Sequence, residues 1–315
     1  MNLYETVTAR ILNQLAAGQV PWRKTWKTGL PKSLSTGREY RGVNILVLGG
    51  TAYTSAYWLT YREALRHGGH VRKGERATPV IYWKWRTPGE LARRAEQTGK
   101  QQVAPCVPFV SAVFNLDQVE GVARPDDDLQ QRPDVRLQIA DQMLEVMPDK
   151  PEIVHTVTAQ PSYSPRLDRV TLPHLSQFES ADEYYATLFH ELVHSSGHPR
   201  RLNRFAEAEG DRVEKYSFEE LVAEFGAAFL CGFAGIQNPD TDALQTSYIE
   251  GWARVFRQDS RILVRAASAA QRATDYVRGK IPSQDPADAT GMTPDSRPAS
   301  ESQPSPAPVL ESCHE

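Results

Sequence analysis

His190 and His194, in the segment HELVHSSGH at 190–198, stand four positions apart. On a helix such residues project from one face, about one turn from each other. Two imidazoles so placed suit two ligands of a tetrahedral zinc ion, with another divalent ion such as Mn2+ as the alternative. Glu191 is then angled toward the water that such an ion activates, and can carry a proton from it to a leaving amine. A third ligand is still needed. The run EELVAEFGAAFL at 219–230 offers Glu220 and Glu224, one turn apart in an otherwise apolar stretch, where two carboxylates need a partner and a cation supplies one. If Glu220 is the ligand, Glu224 can hydrogen-bond a ligand imidazole and fix its tautomer; the alternative is a pair of solvent-facing helix carboxylates. Glu219 is the weakest ligand candidate of the three. His198 competes for the third position. The longer pattern H-E-x-x-H-x-x-G-x-x-H has Gly197 in place but meets Arg200 where its last histidine belongs, so His198 reads rather as a helix cap or substrate contact. Tyr163 precedes a strand-like run, and a strand beside the histidine helix can pair with an extended peptide. It could help polarise a scissile carbonyl, although a structural turn is the plainer reading.

A second chemistry lies near the N-terminus. Trp22, Arg23, Lys24, Trp26 and Lys27 interleave rings with cations, and Tyr40, Arg41, Tyr57, Trp58, Arg72 and Lys73 continue the mixture. Single-stranded nucleic acid suits it, because cations follow phosphates while flat rings stack on unpaired bases. Binding of that kind is largely independent of base sequence. The competing reading puts the aromatics in a core, as strand alternation favours for Tyr82 or Trp83. Trp22 and Trp26, in a basic stretch rich in Pro and Gly, are expected to be exposed.

The elements that position these residues follow from periodicity and punctuation. Leu3, Val7, Ile11 and Leu15 share one helical face that ends near Gly18. Residues 44–48 form a short apolar element, either strand or helix, and Thr60 with Glu63 makes a capping box for a helix closed by Gly68 and Gly69. Residues 79–85 and 107–116 read as strands, with a basic mobile loop at 86–102 between them. Further on, a helix at 135–147 precedes strands at 152–158 and 169–172. Ser180 opens the histidine helix, another helix spans 218–229, and one long amphipathic helix covers 247–278. The fold class is α+β: a small α+β unit at 1–122, an acidic linker at 123–134, a mainly helical unit with a short sheet at 135–281, and a disordered tail at 282–315. At 315 residues, two units each with its own core are expected.

Charge sharpens this division. The chain has a net charge of −3, but residues 1–122 hold 17 Lys+Arg against 8 Asp+Glu, a net of +9, while the remainder holds 19 against 31, a net of −12. That asymmetry points to an anionic partner for the first part. No apolar run is long enough to span a membrane. The three cysteines cannot build a disulfide scaffold, the N-terminus lacks a secretion pattern, and a cytoplasmic location is expected.

Together the two parts resemble a known family. YETVTARILNQLAAGQVPWRKTW, YRGVN, SAYWLTYREA, GGHVRKGE and VFNLDQVEG look like the N-terminal domain of ArdC-type antirestriction proteins. YSPRLDRVTLP, YYATLFHELVHSSGHPRRLNR and YSFEELVAEFGAAFLCG resemble their zincin-like metallopeptidase domain. The similarity covers about residues 1–280. It implies a protein of conjugative plasmids or other mobile elements, with single-stranded DNA binding by the first domain and a divalent-metal site in the second. It also implies protection of incoming DNA against host restriction. On this resemblance His190 and His194 are ligands, Glu191 is catalytic, and Glu220 is the third ligand. Two functions compete: a DNA-tethered metallopeptidase acting on a host or DNA-bound protein, and a non-proteolytic coat for single strands whose metal is structural. An accessory role to a primase is a third.

Overall fold

The computed structural model describes residues 3–23, 29–99, 106–125, 133–157, 160–207, 212–237 and 246–280. Helix α1 (Leu3–Ala16) buries Val7, Ile11 and Leu15, spaced four apart on one face. A single helical turn, Pro21–Arg23, follows, and then strand β1 (Lys32–Ser33). The ambiguous element at 44–48 is a helix, α2 (Val43–Gly49), buried on every side. Asn44 locks it to the neighbouring sheet: its amide nitrogen donates to the Ile81 carbonyl at 2.5 Å, and its amide oxygen accepts from Ile81 N–H at 2.8 Å.

Strand β2 (Tyr57–Leu59) leads into α3 (Tyr61–Arg66), whose Thr60–Glu63 capping box forms as the sequence suggests. Strands β3 (His70–Val71), β4 (Thr78–Trp85), β5 (Cys106–Asn115) and β6 (Val119–Glu120) complete this part. β1, β2, β5 and β4 form one sheet in that order, with β4 and β5 antiparallel over eight pairs, and β3 pairs with β6. The connection between β4 and β5, expected to be a mobile loop, is largely helix α4 (Pro88–Thr98). Thr87 and Glu90 form a second capping box, Pro88 sits at the first turn, and Gly99 ends the helix with φ of 63°.

The second part begins with α5 (Pro133–Val146), followed by β7 (Glu152–His155), β8 (Ser162–Ser164) and β9 (Arg169–Leu172). Their sheet has the order β7-β9-β8, with β7 parallel and β8 antiparallel to β9, which leaves β8 at an edge. Helices α6 (Ala181–Ser196), α7 (Arg204–Glu207) and α8 (Arg212–Ala234) come next. The single long helix expected at 247–278 is two, α9 (Thr246–Gln258) and α10 (Ile262–Val277). The chain turns between them, where the Asp259 carboxylate accepts from Arg261 N–H at 2.8 Å and the Thr8 hydroxyl donates to the Ser260 carbonyl at 2.9 Å. α6 and α8 pack closely at Gly226, where a β-carbon would lie 2.7 Å from Val193.

The two parts do not keep separate cores. One apolar cluster takes in α1, Trp22 and α2 together with α6, α8 and α10. The remainder of the first part has two small clusters, around Tyr57 and Leu116 and around Trp58 and Val113. Arg41 and Asp275 add an ion pair across the same junction. The linker residues 126–132 and the tail at 282–315 lie outside the described residues.

Candidate metal centre

Ser180 caps α6 by accepting from Glu183 N–H at 3.1 Å. Leu188, Phe189, Leu192 and Val193 bury one face of that helix, so the intervening His190 and His194 turn toward α8. Their Nε2 atoms face each other at 3.1 Å. Glu220 from α8 brings one oxygen to 3.8 Å from His190 Nε2 and the other to 3.6 Å from His194 Nε2. Ligands of a tetrahedral ion held at about 2.0–2.1 Å stand roughly 3.3 Å apart. Two nitrogens and a carboxylate converging at these separations therefore fit a divalent cation, and all three donors lie within 4.8 Å of one another.

The surroundings prepare the imidazoles. Burial, with His194 and Arg23 nearby, pulls His190 down to about 3, so its ring is neutral and has a lone pair to give. Burial acts the same way on His194, but there the hydrogen bond and charge of Glu219, joined by Glu220, outweigh it and draw the ring up. Glu219 Oε1 lies 3.1 Å from His194 Nδ1, accepting that proton and leaving Nε2 aimed at the centre. Arg204 grips the same carboxylate at 2.8 and 2.6 Å and also donates to the Val193 carbonyl. The imidazole partner is thus Glu219, and Glu224 does not take the role expected of it. Glu224 instead pairs with Arg23 of the first part at 3.2 Å. Glu219, rightly the weakest ligand candidate, shows no sign in the sequence of its role as imidazole partner, nor Arg204 of its support, because only the crossing of α6 and α8 decides which carboxylate meets which nitrogen.

Glu191 is 7% exposed. Burial raises its carboxyl group, with Glu220 adding to the effect, while His194 and a hydrogen bond from the Tyr163 backbone N–H oppose it. That bond places edge strand β8 against the helix. The Tyr163 hydroxyl is engaged elsewhere, donating to Asp168 at 2.8 Å and accepting from Arg201 at 3.1 Å, so it is committed to the turn. His198 lies apart from the donor cluster, its Nδ1 accepting from Arg200 N–H at 3.2 Å.

Several aromatic residues expected to bind nucleic acid prove to be buried. Trp22 is fully buried and packs edge-on against Phe225 at 5.0 Å and Phe256 at 6.1 Å, its indole N–H donating to the Tyr248 hydroxyl at 3.2 Å. The expected exposed platform is corrected on this point: the apolar surface of α8 and α9 gives the ring more contact than solvent or a base could. Tyr57 and Trp58 are likewise buried, and Tyr40 is half-buried against Trp58's cluster. Arg23 stacks on Tyr248 at 4.6 Å besides pairing with Glu224, and Arg41 pairs with Asp275. Arg72 is partly exposed and bonds Glu75 at 2.7 Å, and Lys73 is exposed. Lys24, Trp26 and Lys27 lie outside the described residues.

A histidine pair one turn apart, a carboxylate ligand from a following helix and a short mixed sheet along the histidine helix define a zincin-like centre. Residues 141–269 match the family model of a zincin-like metallopeptidase, and residues 1–114 match that of the N-terminal domain of anti-restriction factor ArdC. The chain is 33% identical to the crystallised antirestriction protein ArdC of plasmid R388 in its metal-free form, with a TM-score of 0.69, covering 89% of this chain and 98% of that one. The Mn(II)-bound structure of the same protein matches at 32% identity and the same TM-score. The chain belongs to the ArdC antirestriction family. It is also 34% identical over 295 residues to DNA primase TraC of Escherichia coli, a match covering 87% of this chain but 27% of that protein. The uncharacterized protein y4eC of Sinorhizobium fredii is 30% identical over 92% of its length. No described helix is long and apolar enough to cross a membrane.

Proposed function

We propose that this protein binds single-stranded DNA with little regard to base sequence and shields DNA entering by conjugation from restriction, and that its second part is a metal-dependent peptidase. The observation that carries the peptidase reading is the convergence of His190, His194 and Glu220 beside a buried Glu191. Those three residues would hold the ion, zinc by donor type, with Mn2+ the alternative suggested by the R388 relative. When bound, such an ion supplies a Lewis acid that polarises a carbonyl and makes water more acidic. Glu191, its basicity raised by burial, accepts a proton on its carboxylate and returns it to the leaving nitrogen. Glu219 and Arg204 hold His194 in one tautomer throughout. Strand β8 pairs with β9 on one side, so its other edge can align an extended peptide across the centre.

The competing reading, a coat for single strands with a structural metal, draws on the core shared by α1, Trp22 and α8: an ion at this centre would stiffen both parts together. Glu191→Gln separates the two. A peptidase predicts loss of cleavage of about 100-fold or more with single-strand affinity unchanged, and undiminished cleavage would remove Glu191 from the mechanism. Plasmid protection measured in the same variant then shows whether proteolysis serves antirestriction. An accessory role in priming rests on the partial match to TraC, and primer synthesis with a primase partner tests it.

A further inference from the structure

The division into a cationic first part and an anionic second part does not describe the surface. Residues 246–280 hold seven Lys+Arg against three Asp+Glu, so the last two described helices are cationic. Arg261, Arg265, Ser268 and Arg272 are all exposed. At 100° per residue they fall within about 60° of one another around α10, and at 1.5 Å per residue the row from Arg261 to Arg272 is about 16 Å long. None of its three arginines makes an ion pair with a carboxylate among the described residues. Arg261 and Arg265 lie over the rings of Tyr4 and Phe218 at 5.9 and 5.6 Å, which props them up without neutralising them.

This row borders the junction. Ser268 and Arg272 line a cavity of about 110 Å³ with Arg41, Asn44 and Trp83 of the first part. Trp83 is half-buried, with Tyr4 packed against it at 6.5 Å, and supplies an aromatic wall beside the cations. Arg41 is anchored by Asp275, yet its Nε has no hydrogen-bond partner among the described residues. A line of unpaired cations flanked by an indole is the combination that single strands recognise: phosphates along the row and an unstacked base against the ring.

We infer that the single-strand path crosses the junction, with Arg261, Arg265 and Arg272 of α10 contacting consecutive backbone phosphates and Trp83 stacking a base. This rests on the single-strand reading above. It places part of that interface on the half of the chain that carries the metal centre.

The test uses the full chain and fluorescently labelled oligothymidylate. R261Q/R265Q/R272Q keeps helix-forming side chains on an exposed face. At about 0.7 of the log–log salt slope per phosphate, losing three contacts lowers the slope by about 2 and weakens binding about 100-fold at 0.1 M salt. W83L is expected to weaken binding about tenfold and leave the slope unchanged. K150Q/R166Q/R200Q, which removes three exposed cations elsewhere on the second part, should change neither by more than a few-fold. If wild-type protein does not bind the oligonucleotide, the single-strand reading itself fails. If it binds and the α10 variant binds equally well with the same slope, or if both triple variants weaken alike, the path does not run over α10. Equal loss on single-stranded and duplex DNA would also overturn it, marking a general polyanion surface instead.

Discussion

Glu219 and Glu224 sit on the same helix, five residues apart, each with an arginine beside the same metal centre, yet the two arms do different work. Arg204 reaches Glu219 from within the second part, through a guanidinium that is nearly buried, and the carboxylate passes that constraint to His194. Arg23 reaches Glu224 from the first part, and its charge helps keep His190 neutral, but Glu224 passes no contact on, touching neither imidazole among the described contacts. The first arm orients a ligand. The second fastens the basic turn of the N-terminal half to the helix that carries the centre, and Trp22, buried one residue earlier, does the same by apolar contact. Residues of very different chemical promise therefore meet on α8, and packing decides which of them serve the centre and which serve cohesion.

The largest effect should come from the cohesive arm. Trp22→Ala removes a fully buried ring between Phe225 and Phe256 together with one indole donor to the Tyr248 hydroxyl. A loss of about 3–5 kcal/mol in unfolding free energy is expected, read from denaturant midpoints at unchanged slope. A change below about 1 kcal/mol, with weakened oligonucleotide binding, would return Trp22 to the nucleic-acid surface.

The orienting arm is tested next. Glu219→Gln should weaken metal binding by about 10–100-fold in a chelator competition, the usual cost of removing a partner of a ligand imidazole. Glu224→Gln should stay within about threefold of wild type. If the two variants rank the other way, Glu224 is the residue that serves the centre.

These contrasts also mark what could be read from the chain. The histidine pair was legible because i, i+4 spacing encodes one helix face regardless of anything distant. The capping boxes at Thr60 and Thr87 carry the same kind of local code. In the second case the basic composition of 86–102 outweighs it, so that the segment forming α4 reads as a loop. The break between α9 and α10 has only a weak local mark, Asp259 accepting from Arg261 N–H, and is also held by the contact of Thr8 with Ser260, some 250 residues away in sequence. Trp22 depends on distant contacts too, since a stretch rich in Pro, Gly and cations looks exposed until α8 and α9 are laid over it. The choice between Glu219 and Glu224 needs the crossing of two helices, which no spacing within either helix records.

A third carboxylate sharpens the comparison by lying away from the metal centre altogether. Burial favours the protonated form of Asp117, but hydrogen bonds from Arg124, from the Thr54 and Ser55 amides and from the Thr54 hydroxyl outweigh it and hold the group at about 2. Because the folded value lies below the unfolded one of about 3.9, the contribution to stability is fully present above that unfolded value. It is lost as pH falls from about 4 toward 2. Asp117→Asn should therefore lower stability modestly at neutral pH and flatten its decline across that acid window, as followed by denaturant melts from pH 7 to 2.5. The ligand cluster should be indifferent to this substitution, with metal affinity at neutral pH unchanged. A shift in metal affinity would mean that the small cluster around Tyr57 and Leu116 is coupled to the core shared by α1 and α8, and that the first part is less divided than its three apolar clusters suggest.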